Sequence, residues 1–377
     1  MAVIVAAAVV IGGLPAIGSG AQLPSVVVGC GETIVDSLRV AGPLDNCPAD
    51  GLIIGKDGIT VDLGGHRISG AETSSGIKID GFEGVTVMNG VVDRFAVGVE
   101  LIGADDNTVK NVVASRNDRG FSITSGSDRN LLKKNTASRS PVAGISVISS
   151  QDNIVVGNVV TSGVGGNEFE PATGIQLIAP KTTCSGNKVK GNRVVGNGGT
   201  GIAVSSCSST RVRGNIVADN GLAGISLAGS DDSRVKGNDV RGSATSGIVL
   251  SSSSTNVVAL NKTSGNSANG IFVHTSSDGV TVSSNVTSGN DDDGIFVSGG
   301  TGNVISRNKA KWNGRHGVRT DVTTNTVKRN KGIENGFFDG VDDLTGLGIF
   351  APEGTPGGNN VARDNDDPDQ CEPSSLC

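Results

Sequence analysis

The chain has 377 residues, a formal net charge of −6, 58 glycines, three histidines, two methionines, one tryptophan and no tyrosine. The acidic balance, with no cluster of lysine and arginine along the sequence, argues against nucleic acid as partner, and the scarcity of histidine and methionine argues against a soft-metal carrier. Acidic polysaccharides held through local arginines or bridging cations stay admissible, and so few aromatic residues suit tight coils around a thin core.

Taken in chain order, residues Met1 to Ile17 are apolar and small, and Ser19-Gly20-Ala21 fits a signal-peptidase site. Residues 1–21 are therefore expected to be a signal peptide, although the basic n-region is missing and the first cation is Arg39. Gly12, Gly13 and Pro15 interrupt an apolar run already shorter than the ~20 residues a membrane span needs. Residues 22–70 read as an N-terminal cap with the first rungs, residues 71–350 as the repeat region, and residues 351–377 as a C-terminal tail with an acidic stretch from Asp364 to Asp369. Within the cap, Asp62 and His66 read as rung and turn residues before they read as a metal or acid/base pair.

The repeat region is set by Gly76, Gly98, Gly120, Gly144, Gly174, Gly201, Gly224, Gly247, Gly270, Gly294, Gly317 and Gly348. Their spacings are 22, 22, 24, 30, 27, 23, 23, 23, 24, 23 and 31 residues. A unit this short cannot bury its own apolar side and must stack on its neighbours. After each glycine, apolar positions alternate, as in Ile202 and Val204 or Ile248 and Leu250, which is strand periodicity with one face inward. A second short strand follows, as in Asn107-Thr108-Val109-Lys110-Asn111 and Asn325-Thr326-Val327-Lys328-Arg329-Asn330, flanked by asparagines expected to take turn and left-handed conformations. Asn111, Asn135, Asn158, Asn192, Asn215, Asn238, Asn261, Asn285, Asn308 and Asn330 recur at one place per coil and predict a side-chain ladder. No segment has room for a crossover helix, so each strand must pair with its counterpart one coil on.

From about Gly51 to Asn365 the chain resembles the right-handed parallel β-helix superfamily, the pectate-lyase-like fold, and the phrase from Gly51 to His66 looks like the opening of secreted bacterial members. The resemblance implies an all-β, single-stranded right-handed parallel β-helix, a solenoid with a rung for each of the twelve glycine phrases or more. It implies no single activity, because the superfamily includes lyases, hydrolases, epimerases, adhesins and domains with no known reaction.

Cysteine spacing agrees with export. Cys184 and Cys207 occupy the same place in adjacent coils, where stacked Cα atoms lie about 4.8 Å apart, within disulfide reach. Cys30 and Cys47 bracket the lead-in and Cys371 and Cys377 close the chain. Three such pairs predict an oxidising, secreted or extracellular location.

Residues at equal offset from each glycine form a column, and three coils carry an unusual set. Asn269, Asp293 and His316 precede their glycines, Phe272, Phe296 and Arg319 lie two after, and His274, Ser298 and Asp321 lie four after. Outward phenylalanines are a platform for a sugar ring, and Asp293 with His316 is a candidate acid/base or orienting pair. The order Asp292-Asp293, then Arg315-His316-Gly317, is similar to part of the polygalacturonase family of glycoside hydrolases. That likeness implies Asp292 and Asp293 as catalytic acid and base with His316 as helper, and Asn269, Phe272, His274, Phe296, Arg319 and Asp321 as substrate-binding residues. Asn269 stands where the family has a third aspartate, Arg315 replaces a glycine, and no Arg-x-Lys occupies the matching later strand. A second candidate is the long coil before Gly174, where Glu168 and Glu170 sit in a loop that would wall a groove.

The expectation is a secreted monomer that binds, and as an enzyme cleaves, an extended polysaccharide or cell-wall glycan along its glycine-strand face. The rival is a non-catalytic surface or matrix rod or adhesin. A periplasmic metal-insertion β-helix is a third reading, disfavoured by the missing Met/His cluster. No cofactor is expected, with calcium the one ion to test. A lined groove would favour the first reading and a flat polar face the second.

Overall fold

The structure, a computed structural model, describes residues 22–161, 163, 171–179, 183–336 and 346–377. Every strand pairing in it is parallel and joins one coil to the next. The glycine phrases form one continuous sheet of 15 strands from Glu32–Ile34 to Cys371–Glu372, and a second, bent sheet of 27 strands closes the other sides. A typical coil contributes Ile225–Ala228 to the first sheet and Arg234–Lys236 and Asp239–Arg241 to the second. Among the described residues the only helix is the 3-10 turn Ser374–Leu376.

The recurring glycine is demanded by close approach of backbones. A Cβ on Gly224 would lie 2.7 Å from the Gly247 carbonyl oxygen in the next rung and 2.2 Å from Val240 Cγ1. The residues that follow alternate inward, and Ile225, Leu227, Ile248, Leu250, Ile271, Val273, Ile295 and Val297 are fully buried. Their columns form a single core along the solenoid.

The corner between the two strands of the bent sheet is closed by an asparagine from Asn135 onward. From Asn135 to Asn330, through every member expected above, the backbone N–H donates to the Oδ1 of the asparagine one rung on at 2.8–3.0 Å. The last of these acceptors is Asn360. Asn238 is fully used: its Oδ1 accepts from Asn215, and its Nδ2 donates to Asn261 Oδ1 and to the Val212 carbonyl. Two corrections follow. The left-handed residue is the one before the asparagine, such as Gly214 or Gly237. Asn111 is that preceding residue, with φ of 54° and an exposed side chain, and it is Val112 that donates to Asn135. A further ladder, Asn197–Asn220 and Asn266 through Asn365, closes the corner before the glycines.

Residues 351–377, expected as a tail, form further rungs. Gly357–Gly358 and Val361–Arg363 extend the bent sheet and Cys371–Glu372 ends the glycine sheet. The cap likewise contributes strands to both sheets from Ser25 onward. All three cysteine pairs are bonded, with Cα separations of 5.4 Å for Cys30–Cys47, 4.5 Å for Cys184–Cys207 and 6.2 Å for Cys371–Cys377. Disulfides persist in oxidising compartments, and this is the pattern of an exported protein. No helix among the described residues is long and apolar enough to cross a membrane. The lack of a cation cluster holds only along the sequence, because the coil register assembles one on the bent sheet.

Candidate functional site

The glycine strands Ile271–Val273, Ile295–Val297, Val318–Thr320 and Ile349–Phe350 lie side by side. Their register places Phe272, Phe296, Arg319 and Phe350 in one outward column. Because parallel pairing stacks like on like, the Phe272 and Phe296 rings lie 5.3 Å apart at 16°. His274, exposed two residues on, packs edge-on against Phe272 with centroids 5.2 Å apart. The Arg319 guanidinium carbon lies 4.4 Å from the Phe296 centroid and 5.7 Å from that of Phe350. Its Nε and Nη2 donate to Asp321 at 3.0 and 3.3 Å, which fixes the guanidinium plane. The sequence reading missed Phe350, although Gly348-Ile349-Phe350 repeats the phrase that singled out Phe272 and Phe296.

The column before the glycines does something different. Asn269 Oδ1 accepts the Asp293 amide at 3.1 Å, Asp293 Oδ1 accepts the His316 amide at 2.8 Å, and His316 Nδ1 accepts the Leu347 amide at 3.0 Å. Each side chain thus caps the backbone of the next rung. Asp293 meets His316 through its amide, and the imidazole, stacked 5.2 Å from Phe350, faces Leu347. With Nδ1 accepting, the ring is neutral and carries its proton on Nε2.

Electrostatics reinforces this arrangement. Burial, then the charges of Arg319 and Arg315, pulls His316 down to about 4. Burial pushes the Asp293 carboxyl up to about 7, and the charge of Asp292 adds to it, against smaller opposing effects of the His316 amide, Arg315 and Arg319. Asp293 is fully buried, its Oδ2 has no hydrogen-bond partner, and Arg319 Nη1 stands 3.9 Å from it. Asp292 is partly exposed and takes a hydrogen bond of 3.2 Å from Arg315. The three coils therefore bring all nine expected residues onto one side of the solenoid, as an open aromatic and arginine surface with a sealed carboxyl behind it.

Other expected positions fall elsewhere. Glu168 and Glu170, like residues 1–21, expected as a signal peptide, lie outside the described residues. Asp62 Oδ1 accepts from Gly64 at 2.9 Å and Asn89 at 3.1 Å, which makes it a turn residue. A depression of about 500 Å³ near Thr124, Ser149 and Gln151 has no ionisable lining residue and lies several rungs before Phe272. No group of three or more metal-ligating side chains occurs among the described residues.

Two family models match the chain: a right-handed β-helix region over residues 181–310 and 223–366, and the periplasmic copper-binding protein NosD over residues 53–240. The copper in that second name finds no donor set here, since the matched span holds one histidine, His66, one methionine, Met88, and two cysteines joined to each other. No curated protein matches the chain. Among solved structures it is similar to a mannuronic acid-specific polysaccharide family 6 lyase from human gut microbiota, with a TM-score of 0.60 and 11% identity over 82% of this chain and 83% of that one. It is also similar to a point mutant of the periplasmic alginate epimerase AlgG, with a TM-score of 0.59 and 15% identity over 75% of this chain and 76% of that one. A third likeness is to the A-module of the Azotobacter vinelandii mannuronan C-5 epimerase AlgE4, with a TM-score of 0.54 and 14% identity over 81% of this chain and 87% of that one. At such identities the likeness is one of fold. With the repeat, the coil register and the family match in agreement, the chain is a right-handed parallel β-helix protein.

Proposed function

We propose that this protein is a secreted monomer that binds an extended polysaccharide along the outer face of its glycine-strand sheet. The observation that carries the reading is the half-buried Phe272–Phe296 stack with the Arg319 guanidinium beside it, fixed by Asp321. With their faces turned to each other and to Arg319, the stacked rings present an apolar strip of ring edges to the C–H groups of a pyranose, and an arginine in the same column donates to hydroxyl or carboxylate oxygens. From Phe272 to Phe350 the column spans three rung steps, about 14 Å, which suits several sugars of a linear chain. The names of the similar solved structures, which refer to alginate, mannuronan and mannuronic acid, point to the same class of polymer.

The test is a panel of neutral and acidic polysaccharides, with and without calcium, read by affinity electrophoresis and calorimetry. Phe296→Ala should weaken binding about tenfold, since it removes contacts on both faces of that ring. Unchanged binding of neutral polysaccharides in a Phe272→Ala/Phe296→Ala protein, or none by the parent, would move the function toward a non-catalytic rod or adhesin.

Cleavage is the second reading, favoured by the unpartnered Asp293 Oδ2 beside Arg319 and by a carboxyl held near neutrality. In that reading Asp293 transfers the proton, the charge of Asp292 keeps it protonated, and neutral His316 holds the following strand in place. Asp293 must then be uncovered by displacement of Arg319 when a polymer docks. New reducing ends or unsaturated products, lost in Asp293→Asn with binding retained, would support it.

A further inference from the structure

The bent sheet carries a charge array with no ion-pair partner among the described residues. Three successive strands, Lys188–Lys190, Arg211–Arg213 and Arg234–Lys236, pair in register, so that Lys188, Arg211 and Arg234 form one column and Lys190, Arg213 and Lys236 another. The valine between each pair is buried, which turns all six cations outward, and five of the six are exposed with Lys188 partly so. The second column continues toward the N-terminus through Val156 to Lys133 and Lys110. Along the sequence the three pairs lie a full coil apart, so no long basic run announces them.

None of the six forms an ion pair among the described residues, although the chain holds more acidic than basic residues. Three acids of these coils are engaged elsewhere: Asp231 accepts from the Ser254 amide, Asp232 from the Thr255 hydroxyl, and Asp239 pairs with Arg241. Like charges directly opposite one another in neighbouring strands destabilise a sheet, and rungs about 4.8 Å apart lie well inside the screening length of about 8 Å at physiological salt. Successive rungs nevertheless repeat the arrangement, which is what a surface for a polyanion requires.

We infer that these three strands form a second binding surface, on a different sheet from the Phe272–Phe350 column, that holds the carboxylates of an acidic polysaccharide. The two columns stand about 7 Å apart and their rungs about 4.8 Å apart, a flat lattice of donors matched to a linear polymer with one acid per sugar. The three arginines offer planar forks that take a carboxylate through two parallel bonds. Residues 183–241 contain no aromatic side chain, so the surface lacks the stacking platforms by which single-stranded nucleic acid is held. With the chain acidic overall, the attraction is local to this patch.

The experiment measures binding of the full chain to polygalacturonate, to the same polymer with its carboxyls reduced to alcohols, and to an oligothymidylate, at several salt concentrations. Arg211→Glu/Arg213→Glu, with circular dichroism to confirm the β signature, should weaken polygalacturonate binding about tenfold or more and flatten its salt dependence. The reduced polymer should show no loss from that substitution. A Phe272→Ala/Phe296→Ala protein should keep a salt-dependent polygalacturonate affinity, which separates this surface from the glycine-face site whatever the fate of that site. The inference is overturned if the glutamate variant binds polygalacturonate as the parent does, if the phenylalanine variant loses all binding, or if oligothymidylate binds more tightly than the polyuronate.

Discussion

At the scale of single residues, the pre-glycine column shows how capping and ionisation become coupled. Asp293 keeps its proton to about pH 7 in the folded protein against 3.8 in an exposed chain, so the folded state binds more protons between those values. Its contribution to stability is complete below about 3.8 and is lost as pH rises through 7, with a limiting slope of about 1.4 kcal/mol per pH unit. His316 acts in the opposite sense: its value falls from 6.5 to about 4, the unfolded chain binds the extra proton between them, and stability rises with pH across that window. The two trends offset each other in mild acid, and near neutrality only that of Asp293 remains. We therefore expect the melting temperature to decline between pH 6 and 8, and Asp293→Asn to remove the decline while its Oδ1 still accepts the His316 amide. His316→Gln, which keeps an acceptor for Leu347, should extend the decline down toward pH 4. Parallel melting curves for parent and Asp293→Asn across this range would refute the assignment.

At the scale of elements, the asparagine corner is what lets strands of three residues hold register. Asn238 in the middle of the ladder satisfies donors and acceptors on both adjacent rungs. Its replacement by alanine leaves the buried Asn215 backbone N–H without its acceptor and removes the side-chain donor to the Val212 carbonyl, and should cost about 3 kcal/mol, read by chemical denaturation. Asn111→Ala should cost less, about 1 kcal/mol, because that exposed residue lies beside the ladder and its loss is mainly that of a side chain suited to a left-handed φ. The Cys184–Cys207 bridge crosses adjacent rungs at a sequence separation of 23. Cys184→Ala/Cys207→Ala should destabilise by about 3 kcal/mol through the freed unfolded chain, checked by the same denaturation curves and by the reducing-agent sensitivity of the parent.

At the scale of the molecule, a solenoid turns offset within the coil into a lengthwise column, and each column is a separate surface. The outward glycine-sheet column is polar or small through Ser122, Ser146, Gln176, Ala203 and Ser226, and becomes aromatic only from Phe272 onward. Ligand contact is therefore expected at the C-terminal end of that face. Affinity for oligosaccharides should rise with chain length until about 14 Å of column is covered and then level off, as titration of a length series would show. An affinity that climbs steadily well beyond that length would indicate that the Phe272–Phe350 column is not the site.

The repeat, the parallel pairing, the core alternation, the disulfide partners and most of the asparagine ladder followed from the sequence alone. These features depend on period, and period is a one-dimensional property: the glycine register fixes which residues lie above one another before any coordinate is known. The same register gathered Asp293, Phe296, His316 and Arg319 onto one side. What each side chain does there was decided only in three dimensions. That Asp293 is sealed and caps an amide depends on the depth of the corner, and that Phe350 joins the column depends on a rung beyond a long insertion. The cation array on the bent sheet shows the division most plainly. Lys188, Arg211 and Arg234 lie a coil apart in sequence, and only the stacking of coils sets them side by side.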